Sequence, residues 1–278
     1  MRRTLISGLA LFKIRAAEGL QYRFAAFSGS LVSSCWALIE IIVITVFFKF
    51  GNNTSENING LTLLQSISYI WIAQSSFGLI AMGIDGDIQT KIVNGDISVE
   101  LCRPLNLYWH WFARTAAGSA SNVILRGGMV FLVGIVLSVF GLNGIGIGLP
   151  HSPINLLLFL TSLFLAFLFG ASFNMFVTAI RTGIAWGDGP MNMMNLLASI
   201  FSGTYLPLQL WPDFMQNFLR FQPFAGSLDT PARLYVGSTS LNDGFVSMFF
   251  QLMWIVVFII FGQMIMKSKI KNAVIQGG

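Results

Sequence analysis

The sequence predicts an all-α polytopic membrane protein with six transmembrane helices, and three observations lead to this fold class. Of its 278 residues, 55% are hydrophobic and only 10% are charged, with a mean hydropathy of +0.73. An ordinary soluble domain carries about 25% charged residues. The apolar residues are gathered into long runs, and many of the Lys and Arg residues lie beside those runs. Lipid is therefore the solvent that suits this composition.

Six apolar runs predict the transmembrane spans. Crossing about 30 Å of hydrocarbon takes roughly 20 helical residues. Runs near this length, with few charges, extend from Phe24 to Phe48, Leu61 to Ile84, Val123 to Leu142, Ile154 to Ile180, Met191 to Leu206 and Phe245 to Met266. The fifth run is the shortest. Because no repeat or long linker separates the runs, residues 1–278 are interpreted as a single membrane domain.

The distribution of Lys and Arg predicts the orientation, since these residues resist translocation when they lie in short loops. An N-terminus inside the cell gives a division of twelve cytoplasmic cations against three outside. The inner set is Arg2, Arg3, Lys13, Arg15, Arg23, Lys91, Arg103, Arg114, Arg181, Lys267, Lys269 and Lys271, and the outer set is Lys49, Arg220 and Arg233. Both termini are therefore expected in the cytoplasm. Cations that flank spans explain the net charge of +5, so we expect no nucleic-acid partner.

Residues 1–23 have the pattern of a helix that lies in the membrane interface. Apolar side chains recur at helical spacing, and the basic residues fall mostly on other positions of the wheel. The apolar set is Leu5, Ile6, Leu9, Phe12, Ala16 and Leu20. An interfacial helix is favoured over the alternative, a short basic flank that only anchors the first span.

Signatures of catalysis are missing from the sequence. A phosphate-binding loop needs a Gly-Lys pair, and none occurs among the 28 glycines, so the chain cannot hydrolyse ATP alone. His110 and His151 are expected on opposite sides of the membrane, which argues against a shared metal site. The acidic residues Asp85, Asp87 and Glu100, with Asp96, match no calcium-loop spacing and favour a solvated helix surface. We expect no catalytic residue, metal or cofactor on this chain.

The connection after the second span, residues 85–106, carries more aliphatic side chains than a solvated loop needs. They are Ile88, Ile92, Val93, Ile97, Val99 and Leu101, set among charged residues. This pattern predicts docking on another protein or on the membrane interface. Pro104 ends the segment before the helix that leads into the third span.

The segment between the fifth and sixth spans, residues 207–242, predicts a partly inserted outer structure. Pro207, Pro212 and Pro223 punctuate it. Between the last two prolines, Phe214, Phe218 and Phe221 share one helical face, so a short helix can dip into the outer leaflet.

Polar residues inside the spans are candidates for the transport pathway. Two interpretations of Glu40 are open. In the first it lines the pathway or pairs with a partner protomer, and in the second it is protonated and hydrogen-bonded to a neighbouring helix. Arg126 is interpreted as a snorkelling residue near the inner end of the third span. Gln74 and Asn195 could bind a substrate, as could Gln65, Asn174 and Asn192, although bonding between helices is the commoner use of such side chains.

Two motifs give the chain a resemblance to a known family. Asn94-Gly-Asp-Ile followed by Leu101-Cys-Arg-Pro lies in the connection after the second span, and Ser202-Gly-x-x-x-Pro-Leu-x-x-x-Pro lies in the outer segment. With the order of spans, they make nearly the whole chain resemble ABC-2 type permeases, in particular the small six-helix prokaryotic branch. The resemblance implies a multi-pass protein of the prokaryotic plasma or inner membrane.

The same resemblance implies roles for the two connections. Residues 85–106 would carry a coupling helix that contacts a separate ATPase, through Ile88, Ile92, Val93, Asp96, Ile97, Glu100, Arg103 and Pro104. The outer segment would close the exit through Pro207, Pro212, Phe214, Phe218 and Phe221. Two ATPase subunits, which bind ATP and Mg, and a second permease chain, identical or homologous, would complete the transporter.

We therefore expect the membrane subunit of an ATP-driven exporter that works as a dimer. The 26 Phe and 12 Met residues suit an amphiphilic or hydrophobic substrate, although surfaces facing lipid use the same residues. The main alternative is a secondary transporter or channel that works without an ATPase, and only Glu40 hints at its expected buried charges. A membrane enzyme would need a converging catalytic set that the sequence does not offer.

Overall fold

The computed structural model describes residues 14, 17, 23–50, 57–80, 85–94, 97, 100, 106–142, 144–182 and 189–272. The described chain is almost entirely helical, which confirms the all-α fold class. Its helices are α1 (Arg23–Phe50), α2 (Leu63–Ser76), α3 (Gly86–Asn94), α4 (Leu107–Val139), α5 (Pro153–Arg181), α6 (Gly189–Phe201), α7 (Asp213–Phe221), α8 (Asp229–Val236) and α9 (Leu241–Asn272). Apart from Ile14 and Ala17, the predicted interfacial helix lies outside the described residues.

Four of these helices, α1, α4, α5 and α9, are long and apolar enough to cross a membrane. They correspond to the first, third, fourth and sixth predicted spans. Together with the helical content, they identify a polytopic membrane protein. At the remaining two predicted positions the described helices, α2 and α6, are shorter.

Helix α2 has 14 residues and α6 has 13, or about 20 Å of axis each, against about 30 Å of hydrocarbon. A 3₁₀ turn, Phe77–Leu79, continues α2. Protein rather than lipid surrounds α2, because nearly all of its residues from Ser66 to Ser76 are buried. That enclosure explains why α2 tolerates a polar composition that would be costly against lipid. Helix α6 ends early because Gly203 adopts a left-handed backbone conformation, with φ of 86°.

Local sequence sets where the helices begin. A two-stranded hairpin, Asn57–Ile58 with Leu61–Thr62, leads into α2, whose start is a capping box between Thr62 and Gln65. Helix α5 begins after the N-cap Ser152, with Pro153 in its first turn.

Helix α4 is longer than its predicted span, beginning at Leu107 rather than at Val123. A π-helical turn, Val123–Gly127, interrupts it. The additional part is polar, and its buried residues include Arg114, Thr115 and Ser121. Contacts with the rest of the chain therefore stabilise this half, and apolar run length could not reveal it.

Small residues allow close packing of the helices. A Cβ atom at Gly127 would overlap the backbone carbonyl oxygen of Ser75, and one at Gly170 would overlap that of Leu79. Elsewhere α5 and α9 pack along their lengths through aromatic rings, with 5.2 Å between the ring centroids of Phe173 and Phe258. Close backbone approach and ring packing are the usual means of helix association in a membrane.

Candidate functional site

Helix α3 is packed into the end of the bundle. Ile88 is buried in an apolar cluster with Leu107 and Trp111 of α4, Met175 and Ala179 of α5, and Met266 of α9. Ile92 and Ile97 are partly buried against the same cluster. The cluster joins the ends of three long helices, and α3 covers it.

The expectation that the aliphatic residues of this segment form an external docking surface is therefore corrected for Ile88, and in part for Ile92 and Ile97. Packing within the chain accounts for these side chains. Helix α3 instead offers a polar outer face, on which Asp87, Thr90 and Asn94 are exposed. Asp96, Arg103 and Pro104, together with the side chain of Val93, lie outside the described residues.

An ionic clamp fixes the first turn of α3 to α4. Arg114 Nε donates to Asp85 Oδ1 at 2.9 Å, and its Nη2 also pairs with Asp87. Asp85 Oδ1 in turn accepts hydrogen bonds from the backbone N–H groups of Asp87 and Ile88, which caps α3. These carboxylates therefore do more than form a solvated surface: they join the start of α3 to α4.

A second fastening holds the far side of the segment. Glu100 is buried, pairs with Lys91 and accepts a hydrogen bond of 2.9 Å from Trp111 Nε1. Burial alone would raise the pKa of Glu100, but the hydrogen bonds from Lys91 and Trp111, with the nearby Lys91 charge, lower the pKa overall. The side chain is thus held as a carboxylate. Sequence reasoning had not assigned Arg114 or Trp111 to the site, since their partners lie 11 to 29 residues away.

Among the pathway candidates, the structure brings Glu40 and Gln74 together. Gln74 Nε2 donates to Glu40 Oε1 at 3.0 Å, which links α1 to α2. Within the described part of the chain, Glu40 Oε2 and Asn195 Oδ1 are buried atoms without a hydrogen-bond partner. Asn195 lies on α6, apart from that pair in the hydrogen-bond network. The bond between helices is thus present at Glu40, with one oxygen still free to interact.

At the opposite end of the bundle, α7 forms between Pro212 and Pro223 as the sequence predicted. Phe214, Phe218 and Phe221 are exposed, and the 55% exposure of Phe218 leaves only part of its ring against Phe201. The other face of α7 packs inward through Leu219, in a cluster with Leu208 and Ala225. Pro207 is buried where the chain enters this segment, and Pro212 is exposed. The aromatic face is therefore available to lipid or to a partner chain.

The element that fills this end of the bundle is α8, a helix in the part of residues 207–242 for which the sequence predicted no separate helix. All of its residues except Arg233 are buried, and α8 packs against α2 and α5. Its end is fixed by Gln65, whose Nε2 donates to the Val236 carbonyl at 3.0 Å, and by Asn155, whose Nδ2 donates to the Leu234 carbonyl at 2.8 Å. The helix stops at Gly237, which has φ of 69°.

A buried carboxylate organises the packing at this end of the bundle. Asp229 Oδ1 accepts from Tyr69 Oη of α2 at 2.9 Å and from the Leu208 backbone N–H at 3.3 Å. Asp229 Oδ2 accepts from Arg233 Nη1 at 3.3 Å, one turn along α8. A buried charge needs this degree of pairing to be tolerated. Asp229 thus ties α8 to α2 and to the backbone at Leu208.

Comparison with known proteins agrees with this architecture. The family model described as ABC-2 family transporter protein matches residues 34–277. The search of curated proteins finds no match. The matched region includes most of α1 and every later helix, with both motif-bearing connections. Members of this family are membrane-embedded transport subunits that are generally non-catalytic and work with ABC ATPases. The chain therefore belongs to the ABC-2 family, as a multi-pass membrane permease of an ABC transporter.

Proposed function

We propose that this chain forms the translocation pathway of an exporter as a dimer with an identical or homologous chain, driven by two separate ATPase subunits. The single observation that carries the proposal is the fastening of α3. Arg114 holds its first turn, the Lys91–Glu100–Trp111 contacts hold its far side, and Ile88 joins it to α5 and α9. A helix held in this way transmits a displacement to the bundle, whereas a loop would absorb it.

In the proposed cycle, the ATPases contact the polar outer face of α3 from the cytoplasm, with both termini on that side of the plasma or inner membrane. ATP binding draws the two ATPases together and moves α3. Because α3 is fixed to α4 and rests on the ends of α5 and α9, those helices move with it. The paired permeases thereby switch between inward-open and outward-open or collapsed states, and hydrolysis resets them.

At the outer end, α8 acts as the inner layer of the exit closure, and α7 with its Phe face acts as the outer layer. Helix α8 contacts α2 and α5, so a movement of those helices works directly on the bond between Tyr69 and Asp229. We propose Glu40 and Gln74 as pathway residues whose bond between α1 and α2 reports the same movement. An amphiphilic or hydrophobic substrate fits the apolar character of the bundle.

The experiment that tests the function is affinity purification of the tagged chain from its native membrane. We expect a Walker-type ATPase to co-purify, with MgATP hydrolysis in the reconstituted complex. Asn94→Arg places a bulky charge on the exposed face of α3 and should reduce ATPase recovery several-fold. The matched control is Asn242→Arg, an exposed asparagine at the other end of the bundle, which should leave recovery unchanged.

Equal ATPase recovery from both variants would remove the outer face of α3 from the contact. Absence of any ATPase from the wild-type complex, combined with transport driven by an ion gradient, would favour a secondary transporter. The exposed positions make this test cleaner than substitution of Ile92 or Ile97, because a charge at either would also disturb the internal apolar cluster.

A further inference from the structure

A cavity of about 360 Å³, lined by both polar and apolar residues, lies beside the start of residues 85–106. We call it the coupling-side cavity. Its walls come from three elements: the 3₁₀ turn after α2 supplies Phe77, and α5 supplies Asn174. Helix α4 supplies Thr115 and Asn122, which precede its π-helical turn, and Arg126, which lies within that turn. Asn122 is exposed, so the lining reaches the surface of the chain. π-Helical turns of this kind occur often at functional sites.

Two buried polar groups in the wall have unused hydrogen-bonding capacity. Thr115 is 6% exposed and Asn174 is 8% exposed, so both side chains are more than nine-tenths buried. Thr115 Oγ1 and Asn174 Oδ1 have no hydrogen-bond partner in the part of the chain that the structure describes. Leaving such groups unpaired is costly, and apolar residues of similar size would avoid that cost. The wall is therefore suited to a ligand that carries polar groups.

Arg126 brings to the cavity a positive charge that no carboxylate of the described residues pairs with. Arg126 donates through Nε at 3.2 Å and Nη2 at 2.7 Å to Ser33 Oγ, and its guanidinium lies 5.8 Å from the centroid of the Phe77 ring. Both partners are neutral. Among the described residues, no carboxylate forms an ion pair with Arg126, and a guanidinium has five N–H donors. Asp85 also lines the cavity, but its Oδ1 already accepts hydrogen bonds from Arg114 and from the backbone at the start of α3.

The depth of Arg126 indicates how a ligand reaches the cavity. Thirteen helical residues, or about 20 Å, separate Arg126 from Val139 at the far end of α4. With Val139 placed at one boundary of about 30 Å of hydrocarbon, Arg126 falls within roughly 10 Å of the opposite boundary, where lipid head groups begin. In the predicted topology this boundary belongs to the cytoplasmic leaflet. Phe77 and Ile80 provide an apolar side to the same cavity.

We propose that the coupling-side cavity binds the phosphate-bearing head group, of net negative charge, of an amphiphile taken from the cytoplasmic leaflet, and that this amphiphile is the transported substrate class. The guanidinium fork of Arg126 matches the oxygens of a phosphate, and Ser119, Thr115 and Asn122 supply further polar groups. A hydroxyl on the head group can donate to Asn174 Oδ1. This inference rests on the proposed function, because it names the substrate of the same permease.

The position of the cavity also connects binding to the ATPase. Asp85 lines the cavity, caps α3 and pairs with Arg114, so one carboxylate is shared by the ligand site and the coupling helix. An occupied cavity thus acts on the first turn of α3 without any intervening element. Binding of the amphiphile should accordingly stimulate ATP hydrolysis by the complete transporter.

The test is calorimetric titration of the full chain in detergent with three probes: dihexanoyl phosphatidylglycerol, dihexanoyl phosphatidylcholine and inorganic phosphate. We expect the phosphatidylglycerol to bind about tenfold or more tightly than either of the others. Arg126→Gln should weaken its binding by about 10- to 100-fold. The control Arg220→Gln, which removes an exposed cation at the other end of the bundle, should leave binding unchanged.

A steric pair of variants keeps the test decisive if Arg126→Gln folds poorly. Gly118 lines the cavity and Gly128 does not, while a Cβ at either position meets no atom within 4 Å. Gly118→Leu should fill the cavity and abolish binding, and Gly128→Leu should bind as the wild type does. Melting temperatures of both variants establish that they are folded.

Three results would overturn the inference. Equal affinity for phosphatidylcholine would remove anion recognition, and equal affinity for inorganic phosphate would assign the cavity to the free ion. Full binding by Gly118→Leu would place the ligand elsewhere. Failure here is distinct from failure of the proposed function. If an ATPase co-purifies but no head group binds, only this inference is refuted. If the head group binds but no ATPase is associated, the proposal of an ATP-driven exporter is refuted.

Discussion

Substitution of Arg114 by Gln should release α3 from the bundle without unfolding the bundle. Arg114 is 10% exposed and bonds to Asp85, which is 21% exposed, so this charged hydrogen bond contributes about 2 kcal/mol. Asp87 is 62% exposed, and its ion pair adds less than about 1 kcal/mol. A loss of about 2 to 3 kcal/mol raises the detached population of α3 by roughly 30- to 150-fold.

Hydrogen exchange measures this detachment directly, because amides in α3 exchange when the helix leaves its site. Protection of residues 90–94 should fall by the same factor in Arg114→Gln, while the buried part of α5 keeps its protection. Arg220→Gln serves as the control, since Arg220 is exposed on α7. Unchanged protection of α3 would refute the clamp, and an equal loss in every helix would assign Arg114 to global stability instead.

Three further predictions concern the outer helix, helix packing and topology. Phe218→Ser should lower export per ATP at unchanged melting temperature, whereas Phe218→Leu should be nearly silent; a lowered melting temperature with an unchanged ratio would leave α7 a purely structural helix. Gly127→Ala should destabilise the bundle by about 1 to 3 kcal/mol, because its Cβ would overlap the backbone of α2, and Gly128→Ala should be neutral or slightly stabilising in the same thermal unfolding assay. In intact cells lacking the native cysteines, a cysteine at exposed Asn242 should react with an impermeant reagent and one at Ser268 should not; the reverse pattern would invert the topology.

Asn242 suits outer labelling better than Gly237 does, for a structural reason. Gly237 lies in the same outer segment, but it has a positive φ, and a Cβ there would meet His151 closely. A cysteine at that glycine would strain the turn that ends α8. Asn242 has no such constraint.

The parts of the fold that face lipid could be predicted from sequence. Helices α1, α5 and α9 must be apolar around much of their circumference, so uninterrupted run length locates them. The first half of α4 and most of α2 are surrounded by protein, and their polar residues find partners inside the bundle. The length of an apolar run therefore placed the start of α4 too late in the sequence and overestimated the length of α2.

The same distinction between local composition and long-range contacts decides which parts of the candidate site could be predicted. Residues 85–106 and the Phe face of α7 could be located because their composition differs from that of a solvated loop. Helix α8 could not, because its eight residues include Asp229, Pro231 and Arg233 and look like a polar connection. Asp229 can be buried because it accepts a hydrogen bond from Tyr69, which lies 160 residues away in the sequence. No local pattern in a single sequence indicates such a pair.

The central claim, that the outer face of α3 carries the ATPase contact, is tested most directly by photo-crosslinking from that face. A photoreactive residue at exposed Thr90 in the complete transporter should give an adduct with the Walker-type ATPase, and its yield should change when ATP replaces ADP. The same residue at Asn242 should give no ATPase adduct. An ATPase adduct that forms from other cytoplasmic positions but never from Thr90 or Asn94 would contradict the account.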